Sequence, residues 1–214
     1  MQKHEVVILI PCFNEEKTII KICKQAKKFG NLMVIDDNST DKTKILLSRE
    51  KINFKSNEKN LGYEASMIEG FHQIIKRFKK AKYILSLDAD GELPVKNIPK
   101  VFKVIKKKNF DLIVGRRIFF NRFSENILNF FFSLKYNLED PISGFKLYKI
   151  KQLRKVMKHI SKKMFLVDII VKFRKLDLTM TNVDIITNKR NDNPRIGNSL
   201  KSNLKILNIA RKIL

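Results

Sequence analysis

The stretch Tyr83-Ile-Leu-Ser-Leu-Asp-Ala-Asp-Gly-Glu92 decides how the rest of the chain is read, because an apolar run ends abruptly in three acids and a glycine. Tyr83 to Leu87 has the length and near-continuous apolarity of a strand covered on both faces, and Gly91 with Pro94 stops it. Alternate side chains of an extended chain share a face roughly 6.5–7 Å apart, so Asp88 and Asp90 can address one hard cation together with a ligand's phosphates. Open α/β sheets bind ligands outside the carboxyl ends of their strands, which is where this acidic turn falls. Taken alone, Asp-X-Asp is also what a solvated acidic turn looks like, so the surrounding sequence has to decide.

Upstream, the same strand-then-polar-turn unit recurs. Val6 to Ile10 reads as a strand closed by Pro11, and Glu15 to Phe29 carries apolar and basic positions at helical spacing, with Asn14 placed to cap the helix. Leu32 to Ile35 is a second strand, ending in Asp36-Asp37-Asn38-Ser39-Thr40-Asp41 ahead of a helix over 42–51. A third strand over 52–55, a loop with Asn60 and Gly62, and a helix over 64–78 lead to the Tyr83 strand. Three βα repeats predict a mostly parallel sheet with right-handed crossovers.

Downstream, Pro94 and Pro99 open a helix running to Lys107, and Asp111 to Val114 is a strand that stops at Gly115-Arg116-Arg117. Residues 118–138 are rich in phenylalanine. They read either as a buried helix or as an amphipathic helix on a membrane surface or an acceptor groove. After Asp140-Pro-Ile-Ser-Gly-Phe145 come a strand at 146–148, helices over 151–159 and 165–175, a strand over 179–186, and a polar loop with Arg190 and Arg195. Residues 199–214 are expected to form a basic amphipathic C-terminal helix, with Leu200, Leu204, Leu207 and Leu214 on one face. No repeat or composition shift divides the 214 residues, so residues 1–214 are expected to form one α/β domain.

With 45 Lys and Arg against 21 Asp and Glu, the formal charge is +24 and the pI about 10.1, a field that attracts polyanions such as nucleic acid, anionic lipid or nucleotide-sugar. Zinc-finger spacing, RNP-type aromatics and basic-zipper heptads are all absent, and Asp36, Asp37, Asp88 and Asp90 would repel phosphate without a metal, so a nucleic-acid-binding protein is only a distant alternative. Cys12 and Cys23 are too few for a disulfide framework or a zinc site, and His4, His72 and His159 lack metal-ligand spacing. No run reaches the ~18 apolar residues of a membrane span, and no apolar signal region precedes the first strand, so the protein is expected in the cytoplasm.

In order, Ile10-Pro-Cys-Phe-Asn-Glu15, Val34-Ile-Asp-Asp-Asn-Ser-Thr-Asp41, Asn60-Leu-Gly-Tyr63, Leu87-Asp-Ala-Asp-Gly-Glu92, Val114-Gly-Arg-Arg117 and Asp140-Pro-Ile-Ser-Gly-Phe145 resemble the family 2 inverting glycosyltransferases of GT-A fold. The similarity is to the dolichyl- or polyprenyl-phosphate mannosyl- and glucosyltransferase branch, over roughly residues 5–201. It implies a Rossmann-like domain in which Pro11, Phe13, Glu15, Asp37 and Asp88 meet the nucleotide-sugar. Asp88 and Asp90, with Glu92 where relatives commonly carry glutamine, would hold Mg²⁺ or Mn²⁺. Arg117, Arg122 and Arg195 would bind phosphates, with Arg190 in reserve for Arg195.

The implied reaction is a single displacement that inverts the anomeric carbon, moving a hexose from a UDP- or GDP-linked donor to a polyprenyl phosphate in cell-envelope glycan synthesis. A phosphate acceptor needs no general base. The alternative acceptor, a glycan hydroxyl in cell-surface polysaccharide assembly, needs a carboxylate, for which Asp140 or Glu139 is placed. Asp140 reads equally well as a brace of the Ser143-Gly144 turn. The basic excess and the two amphipathic stretches are expected to hold the protein peripherally on the anionic inner face of the cell membrane, alone or with a membrane-embedded partner.

Overall fold

The computed structural model describes residues 2–118, 123–161 and 164–188. Arg122, Arg190, Arg195 and the helix expected over 199–214 lie outside the described residues, as do the first phenylalanines of the 118–138 stretch.

The described residues build a seven-stranded sheet of order β3-β2-β1-β4-β6-β5-β7. Third in that order is β1 (Val6–Cys12), buried at every position, as a strand covered on both faces must be. It is flanked in parallel by β2 (Asn31–Asp36) and β4 (Tyr83–Ser86), with β3 (Phe54–Ser56) outside β2. The period of two along β1 divides the core: Val7 and Leu9 face one set of helices, Val6, Ile8 and Ile10 the other. On the first face lie α3 (Tyr63–Arg77), α5 (Phe123–Tyr136), α6 (Ile150–Met157) and α7 (Phe165–Lys175), through Phe71, Phe132, Leu153 and Phe165. On the second lie α1 (Ile19–Ala26), α2 (Thr43–Arg49) and α4 (Ile98–Lys107), through Ile22, Leu47 and Val101.

Three local expectations change. The first helix starts at Ile19, not Glu15, because Asn14 turns left-handed (φ 54°) and Thr18 and Ile19 donate to the Glu15 carbonyl in a preceding turn. β5 (Leu112–Arg117) continues through Gly115 and both arginines, since β7 (Met180–Ile185) pairs with it in parallel as far as Arg117 and Ile185. β6 (Lys146–Lys149) is the one antiparallel strand among those described, inserted between β4 and β5 with Lys146 beside Ser86 and Val114. Within 118–138, the two faces of α5 differ: Leu128, Phe132 and Tyr136 enter the core, as a buried helix requires, whereas Phe130 and Leu134 are 60% and 71% exposed. Among the described residues no helix is long and apolar enough to cross a membrane. The three histidines lie on the surface, and both cysteines are buried free thiols.

Candidate active site

The parallel register brings the polar turns after β1, β2 and β4 to one edge, with Cys12 opposite Asp36 and the chain of β4 running on to Asp88. There the acids after β2 are held by the chain's own donors. Asp36, fully buried, accepts from Ser56 Oγ at 2.9 Å and Ser39 N at 3.3 Å. Asp41 accepts from Thr43 N at 2.9 Å and Glu16 N at 3.1 Å. Asn14, expected as a helix cap, instead ties two turns together: its Oδ1 accepts from Thr40 N at 2.8 Å, and its own N donates to Ser39 Oγ at 2.9 Å.

Asp37 was expected to read a nucleotide base. Its buried carboxylate accepts from Asn57 Nδ2 (2.7 Å), Leu61 N (2.9 Å) and Gly62 N (2.7 Å), which occupies three of about four lone-pair sites. These three bonds tie the 57–62 loop to the end of β2. Gly62, at φ 87°, makes the left-handed step into α3 that a side chain would strain. Pro11 is buried in β1, Phe13 is half-buried beyond it, and Glu15, 9% exposed, accepts from Thr18 Oγ1 at 2.9 Å.

Past β4, Asp88 is half-buried, and its Oδ1 accepts from the Tyr63 hydroxyl at 2.9 Å. Burial, reinforced by the charges of Asp90 and Glu92, pushes its carboxyl up to about 6 against the opposing pull of the Tyr63 hydrogen bond and Arg117. Burial and the same carboxylate push Tyr63 well above its ordinary value, so its hydroxyl stays a donor. Asp90 Oδ1 accepts from Glu92 N at 2.9 Å, closing the turn at Gly91. Gly144 backs Asp88 so closely that an added Cβ would stand 2.2 Å from Oδ2 and 2.3 Å from Oδ1.

Among the described residues no three acids, histidines or cysteines converge on one point, so the expected set Asp88, Asp90 and Glu92 is not a three-ligand cage. Two carboxylates with all-oxygen chemistry still suit Mg²⁺ or Mn²⁺, which are held by one or two carboxylates plus substrate phosphates and water.

The other rim of the site is built from ion pairs. Arg117, at the end of β5, forks onto Asp140 through Nε and NH2, both at 2.8 Å, and its NH2 reaches Glu125 at 3.5 Å. Asp140 is left-handed (φ 53°) and 1% exposed, with its N donating to Asn129 Oδ1 at 2.6 Å. Arg116 bridges Glu139 and Asp184, each at 2.6 Å. The Asp140 carboxylate is thus engaged by Arg117, while in the Ser143-Gly144 turn it is the Asp140 backbone carbonyl that accepts, from Ser143 N at 3.1 Å.

Beneath this turn lies Lys146, fully buried, whose Nζ donates to the carbonyls of Pro141 (2.8 Å) and Ser143 (2.7 Å). Burial lowers its ammonium to about 7, with the charges of Asp140 and Asp88 opposing. Sequence reasoning missed Lys146, because a lysine opening a strand looks like a surface residue. Tyr63, last residue of Asn60-Leu-Gly-Tyr63, likewise carries no sign in the sequence that its hydroxyl reaches Asp88.

The Glycosyl transferase family 2 model matches residues 7–173. An uncharacterized protein of Methanocaldococcus jannaschii is 29% identical over 171 residues, covering 73% of this chain and 70% of its own. The undecaprenyl-phosphate 4-deoxy-4-formamido-L-arabinose transferase of Proteus mirabilis is 27% identical over 128 residues, 53% of this chain, and the match spans 37% of that relative's length. Among solved structures, glucosyl-3-phosphoglycerate synthase from Mycobacterium tuberculosis, in complex with Mn²⁺, UDP-glucose and phosphoglyceric acid, superposes with a TM-score of 0.67 at 16% identity, covering 88% of this chain and 72% of that one. That likeness establishes the GT-A fold.

Proposed function

The chain belongs to glycosyl transferase family 2, and from that premise we propose that it transfers a hexose from a UDP- or GDP-linked donor to a polyprenyl phosphate at the cytoplasmic face of the membrane. The observation that carries the acceptor class is the pairing of Asp140 with Arg117 and of Glu139 with Arg116. A hydroxyl acceptor needs a carboxylate positioned to take its proton, whereas a phosphate arrives as an anion and needs none. The Proteus mirabilis relative, named for an undecaprenyl-phosphate acceptor, supports the same reading.

In this proposal Pro11, Phe13, Glu15 and Asp37 border the nucleoside. Asp88 and Asp90 are the residues that would hold Mg²⁺ or Mn²⁺, which supplies charge stabilisation to the departing nucleoside diphosphate. Arg117, its planar fork oriented by Asp140, presents positive charge to donor or acceptor phosphates, with Arg122 and Arg195 assigned the same task. The anomeric carbon is attacked once, by the acceptor oxygen, and inverts. The catalytic domain is assigned residues 1–214, with 199–214 as its amphipathic helix. Phe130 and Leu134, one turn apart on α5 and exposed, favour peripheral contact with lipid.

Two measurements test this. Melting with UDP or GDP in Mn²⁺ should single out one nucleotide, which at a hundredfold excess over its Kd stabilises by about 2.7 kcal/mol. Single-turnover transfer to polyprenyl phosphate should then survive Asp140→Asn with a loss well under a hundredfold. A larger loss at unchanged melting temperature, steeper at low pH, would replace the phosphate acceptor with a hydroxyl.

A further inference from the structure

Asp88 is gripped from two sides by parts of the chain far from it in sequence. Gly144, on the turn before β6, closes one side by lacking a side chain. The Tyr63 hydroxyl, 2.9 Å from Oδ1, closes the other. Tyr63 is the first residue of α3, and its place is set by a continuous series of contacts. Asp37 holds Leu61 N and Gly62 N, and the side chain of Asn57 joins Asp37 (2.7 Å) to Ser66 Oγ (3.0 Å) one turn into the helix. The ring itself packs against the apolar core. The hydroxyl is therefore delivered by rigid elements rather than by a mobile loop.

We propose that Tyr63 is a positioning residue for the metal–diphosphate site, holding Asp88 through Oδ1 so that the carboxylate meets a divalent cation in one orientation. The inference rests on reading Asp88 as a ligand of that site. Partners that orient a ligating carboxylate typically contribute 10–100-fold to metal affinity, because an unoriented ligand must be ordered when the ion binds. The same series of contacts joins the end of β2 to Asp88, so a change at Asp37 should reach the cation through Gly62 and Tyr63.

The test is calorimetric titration of Mn²⁺ into the full chain with saturating UDP or GDP, comparing wild type with Tyr63→Phe, which removes one oxygen and keeps the ring. The expected result is a Kd weaker by 10–100-fold, with the ligand-free melting temperature within a few degrees of wild type. A Kd within twofold of wild type overturns the role of Tyr63 while leaving the metal site standing. A wild-type chain that binds neither nucleotide with Mn²⁺ overturns the site, and this inference with it. Should Tyr63→Phe unfold below the titration temperature, Tyr63→Gln, which keeps a donor, must bind Mn²⁺ more tightly than Tyr63→Leu, and equal affinities count against the proposal.

Discussion

The two rims of the site treat their acids in opposite ways. After β2, Asp36, Asp37 and Asp41 are satisfied largely by backbone N–H groups and by hydroxyl or amide side chains, as in the three bonds on Asp37. Across the sheet, Asp140, Glu139 and Asp184 are satisfied by two arginines. Bonds of the first kind are short-range, need no counter-charge and tie neighbouring turns into a fixed frame. Bonds of the second kind hold positive charge in waiting, and a guanidinium on a carboxylate has the geometry it would use on a phosphate. One rim is built to keep its shape; the other carries the positive charge that the proposed function directs at an anion.

The comparison breaks first at Arg117. Its side chain is 15% exposed and that of Asp140 is 0%, so Arg117→Met strands a buried charge and should cost about 3–5 kcal/mol in urea unfolding. A cost under about 1 kcal/mol would mean that this rim is no different from surface ion pairs. Asp37→Asn comes next: turning an amide group toward N–H donors leaves at least one of them unpaired, for about 2 kcal/mol, unchanged by 1 M NaCl. A strong salt dependence there would erase the distinction between the rims.

Asp88, between the two, belongs to neither, and its acidity sharpens the contrast. With its carboxyl pushed up to about 6, the metal-free fold carries a proton that the unfolded chain has already released. The stability this contributes is present at acid pH and is lost as pH rises through about 6. A cation must displace the same proton, so the Mn²⁺ Kd should weaken tenfold per pH unit below about 6 and level off above it, as calorimetry from pH 5 to 8 would show. The smallest effect is expected from Arg116→Gln: with Arg116 and Glu139 about a third exposed and Asp184 more than half, the loss should stay under about 1 kcal/mol and vanish in 1 M salt.

The first rim was largely legible in the sequence because its information is local. Each apolar run, polar turn and amphipathic helix follows the last at short range, so β1 to β4 and their helices fall close to where the periodicity puts them. Even there the partners of Asp37 were hidden, since backbone donors twenty-odd residues away leave no mark in composition. The second rim depends on pairings without a period. Nothing in Lys146-Leu-Tyr-Lys149 says that the strand runs antiparallel, or that its first lysine is buried between two carbonyls. The Arg117–Asp140 fork spans 23 residues and a left-handed aspartate, and neither residue names the other.

The reversed direction of β6 has one more result. Because β5 ends and β6 begins at the same edge, with Val114 beside Lys146, the chain between them leaves the sheet at the site and returns to it there. Its ends are anchored by adjacent strands, and α5 within it sends Leu128, Phe132 and Tyr136 into the core, so the excursion is bound to the sheet along its length as well as at its ends. Exchanging the segment between Arg117 and Lys146 for a relative's should therefore keep the sheet register only where Gly144 against Asp88, Asp140 on Arg117 and the core side chains Leu128, Phe132 and Tyr136 are kept.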